Sequence, residues 1–163
     1  QYYFYMKKRI TAIAALLSII SLGKPFLIGK GAFLTSAIVM FSFSEKAQAD
    51  SAYFYDRQAF KEWNKNNFFE AIKYYNQAIE IQPNNSKLYG KRGNCYYQLG
   101  EFNAAIFDYN KSLQLNSNDK SVWLFRGLAK RKLGSLKGAC SDLRKASALG
   151  QEFATEIFKR YCK

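Results

Sequence analysis

The sequence predicts an all-α chain: an α-solenoid of three helix–turn–helix repeats with a C-terminal capping helix, preceded by an N-terminal signal or anchor segment. Chemically matched residues recur every 34 positions after residue 50, which is typical of stacked helical hairpins. Before residue 50, two apolar runs follow a basic start. The predicted boundaries are 1–49 for the leader and 50–163 for the repeat domain, with repeats at about 52–85, 86–119 and 120–150 and the capping helix at about 151–162.

The leader has the order of a secretory signal peptide. Basic residues at 7–9 precede apolar runs at 10–22 and 32–43, and Ala47 and Ala49 form the small-residue pattern of a cleavage site. Each run is shorter than the roughly 20 residues that a membrane-spanning helix needs. Cleavage after Ala49 would export the repeat domain, whereas an uncleaved leader would anchor it to a membrane, outside the cytoplasm. A cytoplasmic protein is the remaining alternative.

Six columns of matched residues define the repeat. Its small and aromatic columns suit two antiparallel helices that cross closely, with rings filling the space beside the small residues. Gly100 and Gly134, and Asn66 in the first repeat, stand between the helices, where a left-handed residue ends the first helix. The columns are Tyr55, Tyr89 and Trp123; Ala59, Gly93 and Gly127; Phe68, Phe102 and Leu136; Ala71, Ala105 and Ala139; Tyr75, Tyr109 and Leu143; and Ala78, Ser112 and Ala146.

The second repeat carries most of a known motif, in Gly93, Tyr96, Gly100, Phe102, Ala105 and Tyr109. With these residues the region 51–150 resembles the tetratricopeptide repeat family. The outer repeats depart from the motif, with Ala59 in place of glycine and Lys130 in place of tyrosine, as terminal repeats often do. The resemblance implies a protein that binds a peptide or partner protein in a concave groove lined by the first helix of each repeat.

The family pattern also implies which residues line the groove. One end of the groove is aromatic and the other is cationic, which suits a peptide with apolar side chains and a carboxylate. Ser121 and Phe125 occupy the positions of a basic pair that other members use to hold acidic chaperone tails, so that clamp is not expected. The implied partner-binding residues are Tyr53, Asp56, Phe60, Trp63, Lys87, Asn94, Tyr97, Gln98, Leu128, Arg131 and Lys132.

The composition disfavours an enzyme. The chain has no histidine, the commonest general base and metal ligand, and no glycine-rich phosphate loop. We therefore expect no catalytic residues, no metal, no cofactor and no small-molecule substrate. Asp108 and Asp142 recur 34 residues apart, and we expect them to be solvated surface acids. A role as an assembly or scaffolding factor would rest on family analogy alone.

The charge pattern leaves a second class of function open. The chain carries 25 Lys and Arg against 12 Asp and Glu, and residues 120–150 hold eight basic side chains with one acid. The basic third repeat could bind RNA or anionic lipid. Export would separate the protein from nucleic acid, which disfavours RNA, whereas residues 10–43 would bring the protein to a membrane. The basic residues concerned are Arg126, Lys130, Arg131, Lys132, Lys137, Arg144 and Lys145.

The three cysteines divide into two kinds. Cys95 is expected to pack as a small apolar residue in the second repeat. Cys140 and Cys162 flank the turn at Gly150 at similar distances, so antiparallel helices would place them side by side. They form either a disulfide, in an oxidising compartment, or two independent thiols.

Overall fold

The structure, a computed structural model, describes residues 32–162, with side chains from Glu45 onward. The chain divides into two units after Ser42, and only residues 32–42 of the first unit are described. All regular secondary structure in the described range is helical. The helices are α1 (Ala32–Asn64), α2 (Phe68–Ile81), α3 (Ser86–Gln98), α4 (Phe102–Leu115), α5 (Lys120–Lys132), α6 (Leu136–Ala148) and α7 (Glu152–Tyr161).

Most of the predicted leader lies outside the described residues. The predicted cleavage position after Ala49 falls inside α1. Within residues 32–162, no helix has both the length and the apolar character needed to cross a membrane. The signal, anchor and export hypotheses therefore stay predictions.

The helices of the second unit form three hairpins and a cap, as the 34-residue period predicts. The end of α1 packs on α2, α3 on α4 and α5 on α6, and α7 then packs on α6. The small residue at each crossing has a steric cause. A Cβ atom at Gly93 would lie 2.7 Å from the ring of Tyr109 and 3.3 Å from the carbonyl oxygen of Ala105. Any side chain there would force α3 away from α4.

The turns inside the hairpins have the predicted left-handed residues. Gly100 and Gly134 have φ of 78°, and Asn66 has φ of 60°. After α5, the N–H of Gly134 donates to the carbonyl of Arg131 at 3.0 Å, and the N–H of Ser135 donates to that of Lys130 at 2.9 Å. These bonds satisfy the last carbonyls of the helix and hold the turn in one conformation.

The predicted exposure of Asp108 and Asp142 is wrong. Asp108 is 1% exposed, and both of its carboxylate oxygens accept hydrogen bonds from Arg92, at 2.6 and 2.7 Å. Another nitrogen of Arg92 donates to Asn76 on α2 at 2.7 Å, so the guanidinium links one repeat to the next. Hydrogen bonding to Asp108 raises the pKa of Arg92 above its ordinary value.

The same arrangement recurs one repeat later. Arg126 binds both carboxylate oxygens of Asp142 at 2.8 Å and donates to Asn110 on α4. Lys130 adds a second cation to Asp142, also at 2.8 Å. The periodicity of the two aspartates therefore reflects a repeated buried ion pair between the helices.

The capping helix covers the apolar end of the third repeat. Ala154 and Ile157 of α7 join Leu124 and Leu143 in one core cluster. The hydroxyls of Ser147 and Thr155 lie 2.6 Å apart near the α6–α7 turn. At the other end of the two helices a disulfide joins Cys140 to Cys162, whose Cα atoms are 5.6 Å apart. These two contacts show that α7 runs antiparallel to α6.

The third cysteine, Cys95, is fully buried among apolar residues of the first core cluster, as predicted. Burial raises the pKa of its thiol to about 12, because the charged thiolate would lose its hydration. The thiol therefore stays protonated at neutral pH and acts as a packing residue.

Candidate functional site

The predicted groove residues of the first repeat lie along one stripe of α1. Tyr53, Asp56, Phe60 and Trp63 are spaced by three or four residues, which places them on one helix face. Phe60 is 55% exposed, although it is a large apolar residue, and Tyr53 is exposed as well. The stripe therefore presents aromatic side chains to solvent at a predicted binding surface.

A small pocket forms where this stripe meets α2 and α3. Its volume is about 180 Å³, enough for one side chain of a partner. Three of its lining residues, Phe60, Trp63 and Asn94, belong to the predicted groove set. The other two are Tyr75 and Lys91. The pocket lining thus combines three aromatic residues with two polar ones.

The polar groups at the pocket already have partners within the protein. The ammonium of Lys91 lies 2.6 and 2.8 Å from the two carboxylate oxygens of Asp56, which joins α3 to α1. The hydroxyl of Tyr109 donates to Oδ1 of Asn94 at 2.8 Å. That bond orients the Asn94 amide and leaves its Nδ2 as a hydrogen-bond donor. The Asp56–Lys91 pair neutralises the cation nearest the pocket.

The remaining predicted groove residues of α3 have two different environments. Lys87 and Gln98 are exposed on α3, on the same stripe as Lys91 and Asn94. Tyr97 packs between two rings instead, with centroids 5.4 Å from Phe102 and 6.2 Å from Phe125. It therefore joins α3 to α4 and α5.

The predicted residues of α5 lie against the cap or at the end of the helix. Leu128 packs on the core cluster of the third repeat. The guanidinium of Arg131 lies 4.8 Å from the centroid of the Tyr161 ring on α7. Lys132 is exposed at the last position of α5. None of the three lines the pocket.

Lys91 and Tyr75 are pocket residues that the sequence reasoning missed. Tyr75 belongs to a column that repeats at Tyr109, and this column predicts only a packing role. A signal for Lys91 did exist: together with Lys87, Asn94 and Gln98 it forms a stripe with spacings of four, three and four residues. Within the residues with described side chains, no group of three or more potential ligands is placed to hold a metal ion.

Comparison with known families decides what these hairpins are. A family model described as a tetratricopeptide repeat matches residues 86–119, and a second, described as a TPR repeat, matches residues 64–100. Both matches fall on helices that form the predicted hairpins. Residues 64–119 therefore match the tetratricopeptide repeat (TPR) family. No curated protein matches it at a significant level.

Solved TPR domains have the same fold. The first TPR domain of Spaghetti (RPAP3), bound to the HSP90 peptide SRMEEVD, superposes with a TM-score of 0.67 at 24% identity, over 69% of this chain and 91% of that one. PcrH in complex with the chaperone-binding region of PopD gives a TM-score of 0.68 at 17% identity, over 70% of this chain and 92% of that one. The Arabidopsis OM64 TPR domain gives a TM-score of 0.65 at 20% identity, over 69% of this chain and 98% of that one.

Proposed function

We propose that this TPR protein is a non-enzymatic interaction module that holds a peptide segment of a partner protein in the groove along α1 and α3. The observation that carries the proposal is the pocket that the exposed ring of Phe60 lines together with Trp63 and Asn94, whose Nδ2 is a hydrogen-bond donor. Apolar pockets with a few placed polar groups are typical of binding sites. Two solved structures with this fold were determined with a bound peptide or protein region, which supports peptide binding here.

The chemistry of the pocket favours an apolar side chain of the partner. Lys91 is paired with Asp56, so a partner carboxylate would have to displace an existing carboxylate. The aromatic walls gain most from burying an apolar group, while Nδ2 of Asn94 can donate to a backbone carbonyl of the bound segment. Phe125, at a position where other members carry a basic clamp residue, packs on Tyr97.

We predict that Phe60→Ala weakens peptide binding at least about tenfold, which corresponds to about 1.4 kcal/mol, because Phe60 supplies an exposed wall of the pocket. The full chain would be panned against a displayed library of random peptides, and the affinity of the recovered peptides would be measured by fluorescence polarisation. Phe60 is more than half exposed, so its truncation leaves the core intact.

Phe107→Ala is the matched control, because Phe107 is equally apolar and 70% exposed but does not line this pocket. It is expected to bind the recovered peptides like the parent chain. The groove proposal fails if the parent recovers no peptides, or if Phe60→Ala and Phe107→Ala bind them equally well.

We further propose that the module acts outside the cytoplasm, exported or held at a membrane, where it contributes to the assembly of a protein complex. The leader pattern and the Cys140–Cys162 disulfide support this location, since disulfides persist mainly in oxidising compartments. We expect the isolated mature protein to begin near Asp50. N-terminal sequencing together with cell fractionation would check this, and a cytosolic protein that retains residues 6–9 would contradict it.

RNA binding through the third repeat is less well supported. Arg126 and Lys130, two of the basic residues it would use, form ion pairs with the buried carboxylate of Asp142. Arg126 also stacks over Trp123 at 4.6 Å. These two cations stabilise the fold and contribute little to a surface for phosphates.

A further inference from the structure

The α5–α6 turn and the last turn of α7 lie together at one end of the third repeat. The guanidinium of Arg131, near the end of α5, stacks over Tyr161 on α7. The disulfide joins the first half of α6 to Cys162, directly after α7. Residues 131–137 and 159–161 therefore lie close together, and we call these two segments the basic tip.

Leu136 is exposed at the basic tip because the ring that covers its position in the preceding repeat is absent. One repeat earlier, Tyr97 covers Phe102 with ring centroids 5.4 Å apart. In the third repeat the position of Tyr97 is held by Arg131, which turns towards Tyr161 instead. Leu136 is consequently 53% exposed.

Leu133 is the second exposed leucine of the basic tip. It is 45% exposed, whereas its counterpart one repeat earlier, Leu99, packs on the first core cluster. The two leucines flank the left-handed Gly134, in a turn held by backbone hydrogen bonds. The turn therefore presents two aliphatic side chains to solvent in a defined geometry.

The segments that form the tip are rich in positive charge. Residues 131–137 contain three basic and no acidic side chains, and residues 159–161 contain two basic and no acidic ones. Arg160 pairs with Glu156 at 3.3 Å on an exposed face, which is a weak interaction. The basic side chains of the tip are Arg131, Lys132, Lys137, Lys159 and Arg160.

We propose that the basic tip docks on the surface of an anionic phospholipid bilayer. The two leucines would enter the boundary between headgroups and acyl chains, and the surrounding cations would bind lipid phosphates. Exposed aliphatic residues on basic segments suit this interface, where an apolar layer lies beneath an anionic one. The tip shares no residue with the pocket, so membrane docking and peptide binding can be tested separately.

Two other partners fit the basic tip less well. A stable protein interface buries about 800 Å² on each partner, and two half-exposed leucines within a single-sign charge cluster offer far too small an apolar centre. Binding to RNA uses cations and stacking rings. It would leave both leucines without a role, and the Tyr161 ring is already stacked by Arg131.

The test places a fluorophore in the tip of the full chain with Leu133→Trp. Vesicles of phosphatidylcholine with phosphatidylglycerol should shift the added tryptophan emission to shorter wavelength, and brominated lipid should quench it. Vesicles of phosphatidylcholine alone should not, and added salt should reduce the effect. Subtracting the parent spectrum removes Trp63 and Trp123. Because residues 10–43 could bind vesicles themselves, the emission at position 133 is the readout rather than total binding.

Two matched comparisons make the test specific. In the Leu133→Trp chain, adding Lys132→Gln with Lys137→Gln should lower the affinity for anionic vesicles, measured by titrating the emission shift, at least about tenfold. Each cation near an anionic surface contributes severalfold to that affinity. Arg144→Gln with Lys145→Gln removes the same charge from a part of α6 outside the tip, and it should change the affinity for vesicles far less. No shift at position 133, an equal shift with Phe107→Trp, or a shift produced by polyuridylate and not by vesicles would each overturn the proposal.

Discussion

Replacing Asp108 with alanine is expected to lower the free energy of unfolding by about 3–5 kcal/mol, a large part of the total stability of a domain this size. The cause is the partner that remains: Arg92 would keep its charge, four-fifths buried, without the two hydrogen bonds that it donates to Asp108. Urea denaturation followed by circular dichroism measures the loss.

A second variant separates the ion pair from simple packing. Combining Asp108→Ala with Arg92→Leu removes the uncompensated charge, so the double variant should be more stable than Asp108→Ala alone. Glu101→Ala removes an acid from an exposed turn position and should change stability by less than about 0.5 kcal/mol. A loss below about 1 kcal/mol for Asp108→Ala would show that the buried pair does not hold the two helices of the second repeat together.

Breaking the Cys140–Cys162 disulfide is expected to lower the free energy of unfolding by about 3 kcal/mol, through the loop of 22 residues that it closes. The effect should concentrate in α7, because the bond ties the end of that helix to α6 beside the Arg131–Tyr161 stack. Cys162→Ser, compared with the parent by thermal denaturation and by hydrogen exchange on α7, tests this.

The pairing of the two cysteines supplies the control. Cys140→Ser should lower the free energy of unfolding as much as Cys162→Ser does. The double variant should lower it no further than either single variant, because the same bond is lost in all three. Alkylation and intact mass without reductant should detect a single free thiol after unfolding, that of Cys95. Three free thiols in the isolated protein would contradict the disulfide.

The fold could be predicted in detail because each repeat signals its geometry locally. Gly100 and Gly134 mark left-handed turns, and Gly93 stands where a Cβ atom would meet Tyr109. Such requirements depend on a few neighbouring residues and recur every 34 positions, so one sequence shows them several times. Cys140 and Cys162 could be placed side by side by the same argument, from their distances to one turn.

The candidate site could be predicted only in part. Phe60, Trp63 and Asn94 lie on the predicted helix faces and meet in one pocket. The pairing of Asp56 with Lys91 depends on how α3 lies against α1, which the repeat pattern does not encode. Arg131 likewise looked like a groove cation in the family pattern, but α7 offers it the Tyr161 ring.

The 34-residue pattern was sufficient to derive the architecture: helical hairpins in register, the small residues at their crossings and the cap that ends them. Which charged side chains are buried and paired became clear only from the packing of the helices. Asp108 and Asp142 recur at equivalent repeat positions that suggested surface acids, yet they are buried against arginines. The leucines of the basic tip, in contrast, are exposed. Backbone geometry and periodicity depend on residues that are close in the sequence. Burial and ion pairing depend instead on which side chains from distant segments pack together.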